Sequence, residues 1–128
     1  MSSESPALAA EGAVASDRSH FVDPETTFEG VRDLLGRKWH MRIVYYLLDD
    51  GPMGFSDLKS ELSGVSSKML SESLSSLQER ELVVREIVSD QPVRVTYSLT
   101  EKGAALAPLV DHIIRWDSEY GAAGEAGR

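Results

Sequence analysis

Residues 56–103, SDLKSELSGVSSKMLSESLSSLQERELVVREIVSDQPVRVTYSLTEKG, decide the fold. Ser56 is placed to cap a short helix with Phe55, Leu58 and Leu62 facing inward. Ser63-Gly64-Val65 reads as a turn in which glycine permits a positive φ. Ser66 caps a longer helix reaching Arg80, with Leu70, Leu74 and Leu77 on its inner face at i, i+4 and i+7 and Met69 alongside. Two strands follow: Leu82 to Val88, rich in Val and Ile, and Arg94 to Leu99, which alternates as Val95, Tyr97 and Leu99. Ser89-Asp90-Gln91-Pro92 joins them, since proline suits a loop better than a strand interior.

The flanks add helices at both ends. The first is expected from Thr27 to Leu35, with Thr26 and Glu29 as a capping box, Phe28, Val31, Leu34 and Leu35 as its apolar face, and Gly36 as its stop. The second is expected from Trp39 to Asp49, where Trp39, Ile43, Tyr46 and Leu47 form a stripe widened by Val44 and Leu48 and Gly51-Pro52 ends the run. Met53 to Phe55 fits a very short edge strand. Thr100 caps a last helix, read as continuous from Glu101 to Tyr120. Its apolar residues, Leu106, Leu109, Val110, Ile113, Ile114, Trp116 and Tyr120, form a face wider than one small core needs. Helix, turn, helix and hairpin in this order define an α+β, mostly α fold: a winged helix-turn-helix with a two-stranded wing and extra terminal helices. That fold is built to set one helix in a DNA groove.

Composition narrows the function. The 128 residues suffice for one domain, expected over 25–120, with 1–24 a disordered acidic tail and 121–128 a flexible end. The absence of cysteine excludes disulfides, thiolate metal sites and direct thiol redox sensing within these residues. No apolar run approaches the roughly 18 to 20 residues of a membrane span, and the N-terminus has neither the basic start nor the apolar core of a secretory signal, so a cytoplasmic location with no membrane partner is expected. His20, His40 and His112 have no metal-ligand spacing and read as surface or boundary residues, and no metal or cofactor is implied. No phosphate-binding loop, nucleophile elbow or dinucleotide turn is present, so the chain does not read as an enzyme.

Net charge is −8, and residues 27–120 hold 15 acids and 11 bases, a net of −4, so the acidity is not confined to the ends. With more Arg than Lys and abundant Ala, Gly, Val and Asp, the chain fits a salt-adapted organism; an ordinary acidic protein is the alternative. Acidic surfaces keep proteins soluble where the Debye length falls to about 3 Å at 1 M salt.

Candidate binding residues lie on the longer helix and the wing. Ser66, Ser67, Lys68, Ser71, Glu72, Ser75 and Gln78 make its outer face, and serine is only a moderate helix former. Short hydroxyls allow close approach to a groove, and Lys68 near the helix start brings charge, so Ser66, Ser67, Lys68, Ser71 and Ser75 are expected to contact DNA; a solvated face is the alternative. Arg94 on the wing can enter a minor groove or sit on a phosphate, or pair with Asp90. Lys59, Arg80 and Arg85 are weaker candidates for backbone contacts, and Arg37, Lys38 and Arg42 either touch flanking phosphate or are merely solvated. Phe28, Val31, Leu109, Ile113, Trp116 and Tyr120 are the expected homodimer interface, because paired half-sites give a small reader affinity and register; packing within one domain is the alternative.

Taken together, LLGRKW (34–39), LLDDGPMGFSDLKSEL (47–62), GVSSKML (64–70), LQERELVVRE (77–86) and VRVTYSLTEKG (93–103) resemble the HxlR-type winged-helix transcriptional regulators, over roughly residues 27 to 120. The resemblance implies a homodimer whose terminal helices pack across a two-fold axis, with Ser66 to Arg80 as the reading helix in the major groove of double-stranded DNA and Arg94 on the wing. Three departures stand out. Near Thr26, where many members carry a cysteine, this chain reads PETTF. Ser73 stands where the family often has a basic residue, and Glu81 where it commonly has glycine. Arg37 replaces a frequent glycine. A transcription regulator is the expected function; a protein-binding winged-helix adaptor in a transcription or repair assembly is the alternative. Any small-molecule effector is unmarked by a residue.

Overall fold

The structure, a computed structural model, describes residues 23–121. The expected tails therefore fall outside the described residues, except at their inner edges, and so does His20. The chain divides into two compact units, Met1–Gly36 and Arg37–Arg128.

In the first unit, α1 spans Pro24–Gly36, three residues longer at its start than the sequence suggested. Its cap is Asp23: the Thr26 hydroxyl donates to Asp23 Oδ2 at 2.6 Å and the Thr26 amide at 3.4 Å. Thr26 thus lies inside the helix, the Thr26–Glu29 capping box does not form, and Glu29 pairs with Arg32 at 2.9 Å instead. An aspartate followed by proline is the stronger start, because proline at the first helical position gives up an N–H that had no partner anyway. Asp23 and Pro24 therefore belong to the helix start and not to the tail.

In the second unit, α2 (His40–Asp50) buries Ile43, Val44 and Leu47 and ends at Gly51, whose φ is +79°. Trp39 is its N-cap residue and is itself buried. Next comes α3 (Phe55–Glu61), which begins one residue before the expected cap. Gly54 holds the N-cap position without a side-chain bond, and Ser56 is inside the helix. After the turn, where Gly64 takes φ +89°, α4 (Ser67–Glu79) is capped as expected by Ser66, whose hydroxyl oxygen accepts from the Met69 amide at 3.0 Å. The inner faces of these helices make the core, with Ile43, Val44, Leu58, Leu62, Leu70, Leu74 and Leu77 fully buried. Met69, expected beside the inner face, is exposed.

The wing is β1 (Val83–Asp90) paired antiparallel with β2 (Val93–Leu99). Both strands run further toward the tip than the sequence suggested, so the loop shrinks to Gln91-Pro92, and a bulge falls between Ile87 and Ser89. Met53 joins Tyr97 through a reciprocal pair of backbone bonds, 2.9 and 2.7 Å, which is the short edge strand reduced to one rung.

The last helix is broken in two: α5 (Glu101–Ala104) and α6 (Ala107–Tyr120). Pro108 explains the break, since it lacks an N–H and its ring would collide with the carbonyl of residue 104 in a continuous helix. The segment around Thr100 ties the end of α4 to α5. The Thr100 hydroxyl donates to the Glu81 carbonyl at 2.6 Å and accepts from the Gly103 amide at 3.0 Å, and Lys102 Nζ donates to the Arg80 carbonyl at 2.9 Å.

Candidate nucleic-acid interface

Both ends of α4 are defined by hydrogen bonds. Ser66 closes the start. At the finish, the Leu82 amide reaches back to the Leu77 carbonyl and the Glu81 amide to the Gln78 carbonyl, each at 2.9 Å, which is the paired bonding of a Schellman cap. Such a cap needs a left-handed residue after the helix, and Glu81 occupies it with φ +62°. Leu77 and Leu82 hold the two positions whose apolar contact accompanies the motif, and both are buried. The glycine that the resemblance implies at this position would meet this left-handed geometry without a side-chain penalty.

The six serines between Ser66 and Ser76 divide by face. Ser66, Ser67, Ser71 and Ser75 are exposed, together with Lys68 and Glu72. Ser73 is buried, so a basic residue there would not simply project toward a groove, and a serine in its place takes no charge from an outer surface. Ser76 is half-buried, and its hydroxyl lies 3.0 Å from His40 Nε2. His40 is accordingly not a surface histidine: it is 3% exposed and ties the first turn of α2 to α4. His112 is exposed, as expected. The sequence carries no separate signal for the His40–Ser76 link, because its partners are 36 positions apart.

On the wing, Arg94 and Arg85 are both exposed, but the register separates them. Arg85 sits opposite Tyr97, so it shares the ribbon face of Val95 and Tyr97, whereas alternation along β2 puts Arg94 on the other face. Arg94 pairs across the tip with Ser89. The candidates are thus not one cluster: Arg94 and Arg85 cannot point the same way. Lys59 is exposed on α3, and Arg80 is half-buried.

A second exposed surface is apolar. On α6, Leu109, Ile113, Ile114, Trp116 and Tyr120 are all exposed while only Val110 is buried, and the Trp116 and Tyr120 rings lie 6.0 Å apart. Within the first unit, Phe28 of α1 is 69% exposed and Val31 is half-buried. A cleft of about 580 Å³ between α2, the end of α3 and α6 is lined by Trp39, Arg42, Tyr45, Tyr46, Ile113 and Ile114 among others. No group of three or more potential metal ligands occurs among the described residues, nor a helix long and apolar enough to cross a membrane.

Two helices joined by a tight turn, with a capped and solvent-facing second helix and a β-ribbon after it, define a winged helix-turn-helix protein. The chain belongs to the HxlR-like helix-turn-helix family, whose profile matches residues 34–125. It is 40% identical over 93 residues to the uncharacterized HTH-type transcriptional regulator YvaP of Bacillus subtilis, covering 73% of this chain and 85% of YvaP. Among solved structures, it is similar to the reduced form of the transcriptional regulator YodB from B. subtilis, at 33% identity and a TM-score of 0.68, covering 80% of this chain and 98% of that one. It is also similar to the redox regulator HypR in its reduced form, at 30% identity and a TM-score of 0.68, covering 77% and 96%.

Proposed function

We infer that the protein is a sequence-specific DNA-binding transcription regulator that acts as a homodimer, with α4 in the major groove and the 89–94 tip of the wing on the minor groove or backbone. The DNA-binding class rests on family membership, together with relatives named as transcriptional regulators. The observation that carries the detailed reading is the outer face of α4: Ser67, Lys68, Ser71 and Ser75 exposed on a helix capped at both ends. A helix held this rigidly gives up little conformational entropy on docking. Ser66 uses its oxygen in the cap, which leaves its proton to donate to a phosphate.

The homodimer is supported by the apolar face of α6. Exposed Leu, Ile, Trp and Tyr along the length of this helix have no role in a monomer's core and match what a two-fold interface needs. HypR is a redox regulator, but the present chain holds no cysteine, so regulation through a thiol does not carry over. The test is fluorescence anisotropy with a duplex from the gene's own upstream region. Wild-type protein is expected to bind it and Lys68→Ala and Arg94→Ala to lose most of that affinity. Absence of wild-type binding at every salt concentration contradicts the reading.

A further inference from the structure

An acidic chain that binds DNA has to place its few cations well. Arg37, Lys38 and Arg42 share the acid-free run 34–48, and no other acid-free run within 23–121 holds more than one base. The buried indole of Trp39 organises two of them: Lys38 Nζ lies 4.8 Å from the ring centre and the Arg42 guanidinium 5.2 Å. Cations over an indole face are attracted by its quadrupole, modestly at an exposed site, which biases both side chains toward the ring.

Arg37 and Lys38 also form one wall of a polar cleft of about 140 Å³. The opposite wall is the flank of the reading helix: Met69, Glu72, Ser73 and Ser76. Three further features suit an anion there. Trp39, at the N-cap of α2, provides no side-chain cap, and the positive end of the helix dipole there favours an anion. Ser73 is 6% exposed and lines the cleft, which places a hydroxyl in its wall. The His40–Ser76 bond fixes the two walls to each other, so they dock as one body. The volume falls well below the roughly 300 to 1,000 Å³ of small-molecule sites, which favours a single phosphate group.

We propose that this cleft clamps a DNA backbone phosphate beside the major-groove segment occupied by α4, with Arg37 and Lys38 as its cations. The proposal rests on the DNA-binding reading above and adds a contact that reads no base. Phosphate contacts fix register and orientation, whereas base contacts give specificity. Glu72 on the far wall opposes the anion and sets a limit on how tightly the clamp holds.

The experiment compares wild type, the Arg37→Gln/Lys38→Gln double variant, Glu72→Gln and Lys68→Ala on two duplexes, one from the gene's own upstream region and one scrambled, across a salt series. The double variant is expected to bind both duplexes at least about tenfold more weakly at low salt, and its slope of log K against log[salt] is expected to shift toward positive values by about 4, one for each of the four cations that the homodimer loses from the DNA backbone. Glu72→Gln is expected to tighten both by about threefold, a change typical of one exposed charge. Lys68→Ala is expected to weaken the upstream duplex more than the scrambled one. Unchanged affinity and slope in the double variant, with Lys68→Ala still impaired, overturn the clamp and leave the reading helix intact. Should the double variant melt early, Glu72→Gln decides alone, and unchanged or weaker binding overturns the clamp. Wild-type failure to bind either duplex at any salt removes both the clamp and the reading it rests on.

Discussion

Glu81 is the position where this chain most clearly departs from what its backbone favours. It holds the left-handed place in the cap that ends α4, with φ +62°. A left-handed L-residue costs about 1 kcal/mol relative to glycine. Glu81→Gly should therefore raise stability by about 1 kcal/mol in chemical denaturation, without altering the cap. Gly103 is the reverse case. A Cβ there would fall against the Leu82 carbonyl oxygen and within 3.1 Å of Leu99 Cδ2. Gly103→Ala should destabilise by about 2 kcal/mol or more, because the strand-to-helix junction has to move. Ser66→Ala should cost about 1 kcal/mol, the usual worth of an N-cap. Asp23 is an exposed carboxylate held below its ordinary range by the Thr26 hydroxyl, and next by the Thr26 amide. A depressed folded pKa means that its capping contribution is complete above the ordinary value of 3.8 and fades as pH falls through the folded value. The Thr26 amide signal in an NMR pH titration should report the start of α1 loosening there.

An element is legible in the sequence where its signal is local. The cap of α4, its Leu70–Leu74–Leu77 stripe and its stop are neighbours in the chain, and the structure reproduces them at Ser67–Glu79. The wing's existence is legible from β-branched runs, but its length is not. Cross-strand pairing carries Val83–Asp90 and Val93–Leu99 past the polar residues that resemble a loop. After the wing, the apolar period survives the break between α5 and α6 and so suggests one continuous helix, whereas the rigid ring of Pro108 decides against it. The candidate site divides likewise. Which side of α4 faces solvent follows from helical spacing, whereas the burial of Ser73 and the His40–Ser76 bond depend on a neighbour distant in sequence. His40→Ala should lower stability and loosen α4 against α2, visible as faster amide exchange at Leu74 and Leu77. Exchange confined to α2 would contradict a tie between the helices.

The whole chain couples these elements to an unusual charge balance. Residues 56–100, which hold the helix-turn-helix and wing, carry seven acids against five bases. Ordinary repressors lose affinity steeply with salt as counterions are released. With few cationic contacts and acids beside them, this protein should show a slope shallower than that of a strongly basic contact surface, and a slope of about −10 would refute that. The exposed face of α6 makes a separate statement about assembly. Ile113→Asp with Trp116→Ala should convert a dimer to a monomer in analytical ultracentrifugation and weaken operator binding with it. Both properties meet in a footprint on the gene's own upstream region, cleaved by hydroxyl radicals. Two reading helices related by a two-fold axis predict two protected patches whose centres lie about 10 base pairs, or a multiple of that, apart. A single unpaired patch would contradict the dimeric reader, and no protection at any salt concentration would contradict DNA recognition by α4 altogether.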